Sequence, residues 1–162
     1  MTSDRQLCRD ALKADGDDDA LILRYLASAR SIAEGLCNRK FYDDQASLDA
    51  DVALAAQDMQ ASIDLKRVEM EAVTQGQTCR YGMLADRYAG VFAAIGRRLH
   101  GCVIDSAIEA AILFLLGHLY MNRQEVTVLT ATPTQMPMAA QRILQPYLWI
   151  GNLGEPDADH WR

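Results

Sequence analysis

The chain has 162 residues, half of them hydrophobic, a length that fits one domain and suffices for a sizeable core without staples. Its formal charge of −6, from 22 acids against 16 bases, argues against a dedicated nucleic-acid binder, because affinity for phosphate backbones comes mainly from clustered cations. Cys8, Cys37, Cys79 and Cys102 stand far apart with no Cys-x-x-Cys pair, which suggests neither a zinc site nor a redox motif and predicts free thiols in a reducing cytosol.

No basic start followed by an apolar run opens the chain, so no ordinary secretory signal is expected. Ser3 and Gln6 form a capping-box pattern, and Leu7, Ala11 and Leu12 recur at helical spacing until Asp15-Gly16, predicting a short first helix. Asp17, Asp18 and Asp19 resemble a calcium loop only superficially. An EF-hand needs alternating carboxylates and a glutamate at its twelfth position, and counted from Asp15 that position is Leu26. The acids instead precede Ile22, Leu26, Ala29, Ala33 and Leu36, an apolar stripe whose first turn they favour electrostatically. A second helix is predicted over roughly 19–37.

Asn38-Arg39-Lys40 closes that helix, and Phe41 to Gln45 reads as a connector without periodicity. Leu48, Val52, Ala55, Met59, Ile63, Met70 and Val73 then lie three, four or seven apart, with no glycine or proline from Ser47 to Gln75, predicting one long amphipathic helix stopped at Gly76. The run is interrupted by Lys66 and is too short for a free coiled coil, so a packed hairpin is expected. Its return arm is Met83 to Leu99, with Leu84, Tyr88, Val91, Ile95 and Leu99 as the stripe; Gly90 and Gly96 each cost about 1 kcal/mol in helix propensity. Arg97-Arg98 with His100 is the densest basic spot and reads as a solvated helix face.

Cys102-Val103-Ile104 predicts a short extended approach to the most hydrophobic stretch of the chain, Asp105 to Arg123. Ser106 and Glu109 make a capping box there, with Asp105 adding negative charge at the positive helix end. Ala110 to Leu116 is apolar throughout, which predicts a central helix covered by several neighbours; Glu109, Gly117 and His118 interrupt it before the roughly 20 residues a membrane span requires. Val126 to Thr130 reads as a β-rich loop or short strand. Pro137 suits the first turn of a final helix carrying Met138, Ile143 and Leu144 up to Pro146. Gly151 to Arg162 reads as a mobile tail, with Trp149 and Trp161 as potential anchors.

Catalytic chemistry leaves no local signature. His100, His118 and His160 have no His or Cys three or four residues away, the glycines form no phosphate-binding pattern, and Ser106 is explained by capping. The residues alone therefore predict a non-enzymatic, acidic, mostly helical protein with no metal or cofactor.

Three segments in order resemble the head-tail connector (adaptor) family of tailed bacteriophages. Asp18-Asp19-Ala20-Leu21-Ile22 through Ala27 and Ala29 to Cys37-Asn38-Arg39 is similar to that family's first long helix and basic turn. Ile104 through Leu113, leading to Gly117-His118-Leu119-Tyr120-Met121-Asn122-Arg123, resembles its core helix with a terminal Tyr-x-Asn-Arg. Met136-Pro137-Met138 and Ile143-Leu144-Gln145-Pro146-Tyr147 look like its closing helix and Pro-Tyr ending. Residues 41–100 depart from the shorter members.

The resemblance implies a structural virion protein and no reaction. Identical subunits would form a homo-oligomeric ring through head-to-tail contacts, between the portal protein and tail-side completion proteins. DNA would pass through without specific binding, no membrane would be involved, and the protein would reside in the virion after assembly in the host cytoplasm. The expected fold is mainly α: a small helical bundle around a central helix at about 105–123, with an inserted long hairpin at about 47–99 and little β structure. Residues 1–150 would form a single connector domain carrying the 41–100 insertion, with 151–162 as tail. Expected core residues are Ile22, Leu26, Ile108, Ile112, Leu113, Leu116, Leu119, Ile143 and Leu144. Tyr120, Asn122, Arg123 and Glu125 are candidates for a polar subunit or partner interface, since arginine makes forked hydrogen bonds to carboxylates and carbonyls; capping within the chain is the alternative. The competing function is a helical DNA-packaging or regulatory protein, such as a small terminase-like subunit.

Overall fold

A computed structural model describes residues 19–73, 78–121 and 137–151. The predicted first helix, the Gly76 stop, the Val126–Thr130 segment and the chain beyond Gly151 lie outside the described residues. The fold is mainly helical with one small parallel sheet: α1 (Asp19–Cys37), β1 (Phe41–Tyr42), α2 (Gln45–Glu71), α3 (Thr78–Leu99), β2 (Cys102–Val103), α4 (Ser106–Met121), α5 (Met138–Leu144) and a 3-10 turn (Gln145–Tyr147). The chain divides into two compact units, one from residues 1–38 and 104–148, the other from 39–103 and 149–162.

In the first unit α4 packs on both α1 and α5. The α1 stripe reaches the core through Ile22, Ala29, Ala33 and Cys37, with Leu26 and Leu36 half-buried; Cys37, one residue past the expected Leu36, takes the last core position and its thiol donates to the Leu144 carbonyl at 3.8 Å. Asn38 follows with φ 52°, the left-handed cap that asparagine tolerates and that ends the helix. From α4, Ile108, Ala111, Ile112, Leu115 and Leu116 are buried, and α5 adds Ala140 and Leu144. Pro137 stands just before α5 instead of inside its first turn, and Pro146 follows in the 3-10 turn, where its missing N–H costs nothing.

The second unit is the hairpin. α2 and α3 pack along their apolar stripes, with Ala55, Tyr88 and Ile95 buried between them. Both arms extend beyond the sequence expectation at their starts. α2 begins at Gln45 because Asp44, in extended conformation, accepts the Ser47 N–H at 2.7 Å and supplies its N-cap. α3 begins at Thr78, five residues before the predicted Met83. The predicted connector at Phe41 contains a strand: Phe41 pairs with Cys102 and Tyr42 with Val103, in parallel. Both aromatic residues are buried, which is why a stretch without periodicity still adopts fixed structure.

Two glycines allow close approach in this unit. A Cβ on Gly101 would collide with the Tyr42 ring and lie 3.0 Å from the Lys40 carbonyl oxygen. A Cβ on Gly96 would come within 3.2 Å of Trp149, which covers the helix there and stacks on His100 with ring centroids 4.2 Å apart. Trp149 is thus an anchor, and the Gly96 propensity cost secures its seat.

Candidate subunit interface

α4 carries Tyr120, the one interface candidate of the sequence that lies within the described residues. Its start is fixed by Asp105, whose Oδ1 accepts the N–H groups of Ala107 at 3.0 Å and Ile108 at 2.8 Å, while its Oδ2 accepts from the Tyr147 hydroxyl. This corrects the Ser106 capping box: Ser106 is already the first helical residue, and the cap is Asp105. The Ile108 N–H first, then the Tyr147 hydroxyl, hold the Asp105 carboxyl below its ordinary value, because both bonds favour the ionised form. One carboxylate thereby ties the helix start to the Pro146-Tyr147 turn in the same unit.

Among the described residues, the neighbours expected to cover α4 are α1 and α5, on the faces turned to them. Ile108, Ile112 and Leu116 are buried, whereas Leu113 and Leu119 are half-buried, Phe114 is 52% exposed and Met121 79% exposed. Ala110, Leu113, Phe114, Gly117, Met121 and Pro137 line an open groove, with His118 also on its wall. Met138, at the start of α5, is 67% exposed. Ile143 is half-buried and Leu144 buried. An apolar run of this length hides which positions lack a partner, since periodicity carries no signal where every residue is apolar.

Of the polar candidates, Tyr120 lies half-buried in the last turn of α4, and it has an interaction partner. Asn122, Arg123 and Glu125 lie outside the described residues.

The hairpin holds a polar cluster that the sequence did not reveal. Arg98 grips Asp51 through Nε at 3.0 Å and Nη2 at 2.6 Å, and reaches Asp58 through Nη1 at 2.6 Å; the Tyr42 hydroxyl also donates to Asp51. The reading of Arg97-Arg98 as a solvated face is thus corrected for Arg98, whose side chain is only 26% exposed. Hydrogen bonds from Arg98 and then Tyr42 hold the Asp51 carboxyl below its usual range. This is fork-like recognition of a carboxylate, which bolts α3 to α2 near the strand pair.

Among the described residues no group of three His, Cys, Asp or Glu side chains is placed to hold a metal, and no helix is long and apolar enough to cross a membrane. A scan of protein-family models and searches of curated proteins and of solved structures find no match to this chain.

Proposed function

We propose that this chain is a head-tail connector subunit, a structural protein that assembles as a ring between portal and tail and lets DNA pass. The observation that carries the reading is the ordered series of segments, above all Gly117-His118-Leu119-Tyr120-Met121-Asn122-Arg123 at the end of the most hydrophobic helix, followed by the proline-led α5 and Pro146-Tyr147. The exposed Phe114 and Met121, which line one groove, and the exposed Met138 support it, because exposed apolar side chains suit a surface that another subunit occupies. Net negative charge also suits a conduit, since a channel that transmits DNA works best without attracting its phosphates.

Electron microscopy of the purified chain, alone and mixed with the portal protein of the same genome, tests the proposal. Closed rings, or rings formed on the portal, are expected. A chain that forms neither, and instead binds duplex DNA with steep salt dependence, would be a packaging or regulatory protein.

A further inference from the structure

At the base of the hairpin the entering strand and the end of α3 gather cations. The Lys40 N–H donates to the Arg97 carbonyl at 2.9 Å and the Cys102 N–H to the Lys40 carbonyl at 3.0 Å, so residues 39–40 run beside the last turn of α3. This pairing brings Arg39, Lys40 and Arg97 together with His100. Burial first, then the charge of Arg39, holds the His100 imidazole below its ordinary value, which places the guanidinium within electrostatic reach of the ring.

These charges are not matched from within the unit. Among the described residues Arg39, Lys40 and Arg97 have no acid in ion-pair contact, and the Arg39 Nε is enclosed without an acceptor. The acids close by are committed elsewhere. Asp44 caps α2, Asp43 has an interaction of its own, and the Asp51 carboxylate is held by Arg98 and Tyr42, so Lys40 acts on it only at longer range. Lys40 and Arg97 are exposed. Arg97 suits the negative end of α3, but that dipole offsets only part of one charge.

The C-terminal chain starts at this cluster. Trp149 stacks on His100, and the indole Cη2 that would lie 3.2 Å from a Cβ on Gly96 would also collide with a Cβ on Gly151. Gly151 therefore leaves the ring beside Gly96, the neighbour of Arg97. Residues 152–162 follow, carrying Glu155, Asp157 and Asp159 against Arg162 and the weakly basic His160. An extended chain advances at most about 3.5 Å per residue, so Glu155 can reach about 14 Å from Gly151 and Asp159 about 28 Å.

We propose that the acidic segment Glu155 to Asp159 lies across Arg39, Lys40 and Arg97 of its own chain, a strap that covers a basic patch and withholds it from other polyanions. Each exposed ion pair is weak by itself, but Trp149 holds the segment beside its partners, so the contact forms at an effective concentration on the order of millimolar. The strap does not depend on the connector reading.

The test uses the full chain. A carbodiimide, which joins an amine to a carboxyl it touches as an amide with loss of water, should link Lys40 to Glu155, Asp157 or Asp159, read by mass spectrometry of the digest. The yield should fall severalfold at about 1 M salt, where the screening length is about 3 Å. In a mixture of isotopically heavy and ordinary chains the link should stay within one isotope. Independently, Glu155→Gln with Asp157→Asn and Asp159→Asn should elute from heparin at higher salt than wild type, and adding Lys40→Gln and Arg97→Gln should remove that gain. Asp49→Asn with Asp86→Asn and Glu109→Gln, three exposed acids elsewhere, controls for net charge and should give no comparable gain.

Absence of any link between Lys40 and the tail overturns the proposal, and links that mix isotopes overturn it by giving the segment to a neighbouring copy. So does a heparin gain that is missing from the tail variant or equal in the control. Ring formation is read separately, and neither result decides the other.

Discussion

Leu116 is completely enclosed in the first unit, whereas Phe114, two residues earlier on the same helix, is half exposed. Removing the Leu116 side chain leaves a cavity, so Leu116→Ala should cost about 2–5 kcal/mol in urea unfolding. Phe114→Ala should cost far less, and an equal loss from both would show that Phe114 is packed. The carboxylates behave differently. Asp44, Asp51 and Asp105 are all held below their ordinary value of 3.8, Asp44 chiefly by the Ser47 N–H. Below that value the unfolded chain binds more protons than the folded one, so the stability they contribute is complete above it and is lost as pH falls through the lowered folded values. The urea midpoint should therefore fall on acidification below about pH 4, and Asp51→Asn should flatten that decline. Carboxylate capping was legible in kind from the sequence but not in place: Ser106 and Glu109 match a capping box, yet Asp105 alone reaches two N–H groups and has Tyr147 behind it. Choosing among adjacent capping candidates depends on a residue 42 positions away, which local spacing cannot reveal.

At the scale of elements, α1, the hairpin arms and α4 were legible because each has an apolar stripe or run long enough to establish its period. The two-residue strands were not, since the pairing of Phe41 with Cys102 is a long-range contact and neither strand alternates. Glycine shows the same division between local and tertiary causes. Gly82 in α3 meets nothing within 4 Å, so Gly82→Ala should gain about 0.5–1 kcal/mol from propensity alone, read from the urea midpoint. Gly96→Ala should gain less or lose, because the new methyl presses on Trp149; a gain equal to that at Gly82 would mean the indole yields without cost. Helix propensity penalises Gly90 and Gly96 equally, whereas the structure separates them, one with open space beside it and one beneath an aromatic ring.

For the whole molecule, charge is the property that composition fixes most directly, while its distribution emerges only from the fold. Net charge of −6 argues against duplex DNA binding, and the basic residues of α3 are partly engaged by acids of α2. Retention of the purified chain on duplex DNA should therefore be negligible even at about 50 mM salt, where cation-rich binders are held tightly. Retention that declines steeply as salt rises would favour the packaging alternative over the connector.

The paired strands have a consequence for descent and engineering. Because β1 and β2 run in parallel side by side, the chain enters and leaves the hairpin through adjacent backbones about 4.8 Å apart. A segment whose two ends share one doorway can grow, shrink or be exchanged without pulling α1 away from α4, which its removal would otherwise have to accommodate. The hairpin is in this sense a cassette, but one that cannot shrink to a tight turn: parallel strands need a crossover of about a dozen residues or more to carry the chain back, so any shorter segment in place of residues 43–100 must keep that length to preserve the pairing.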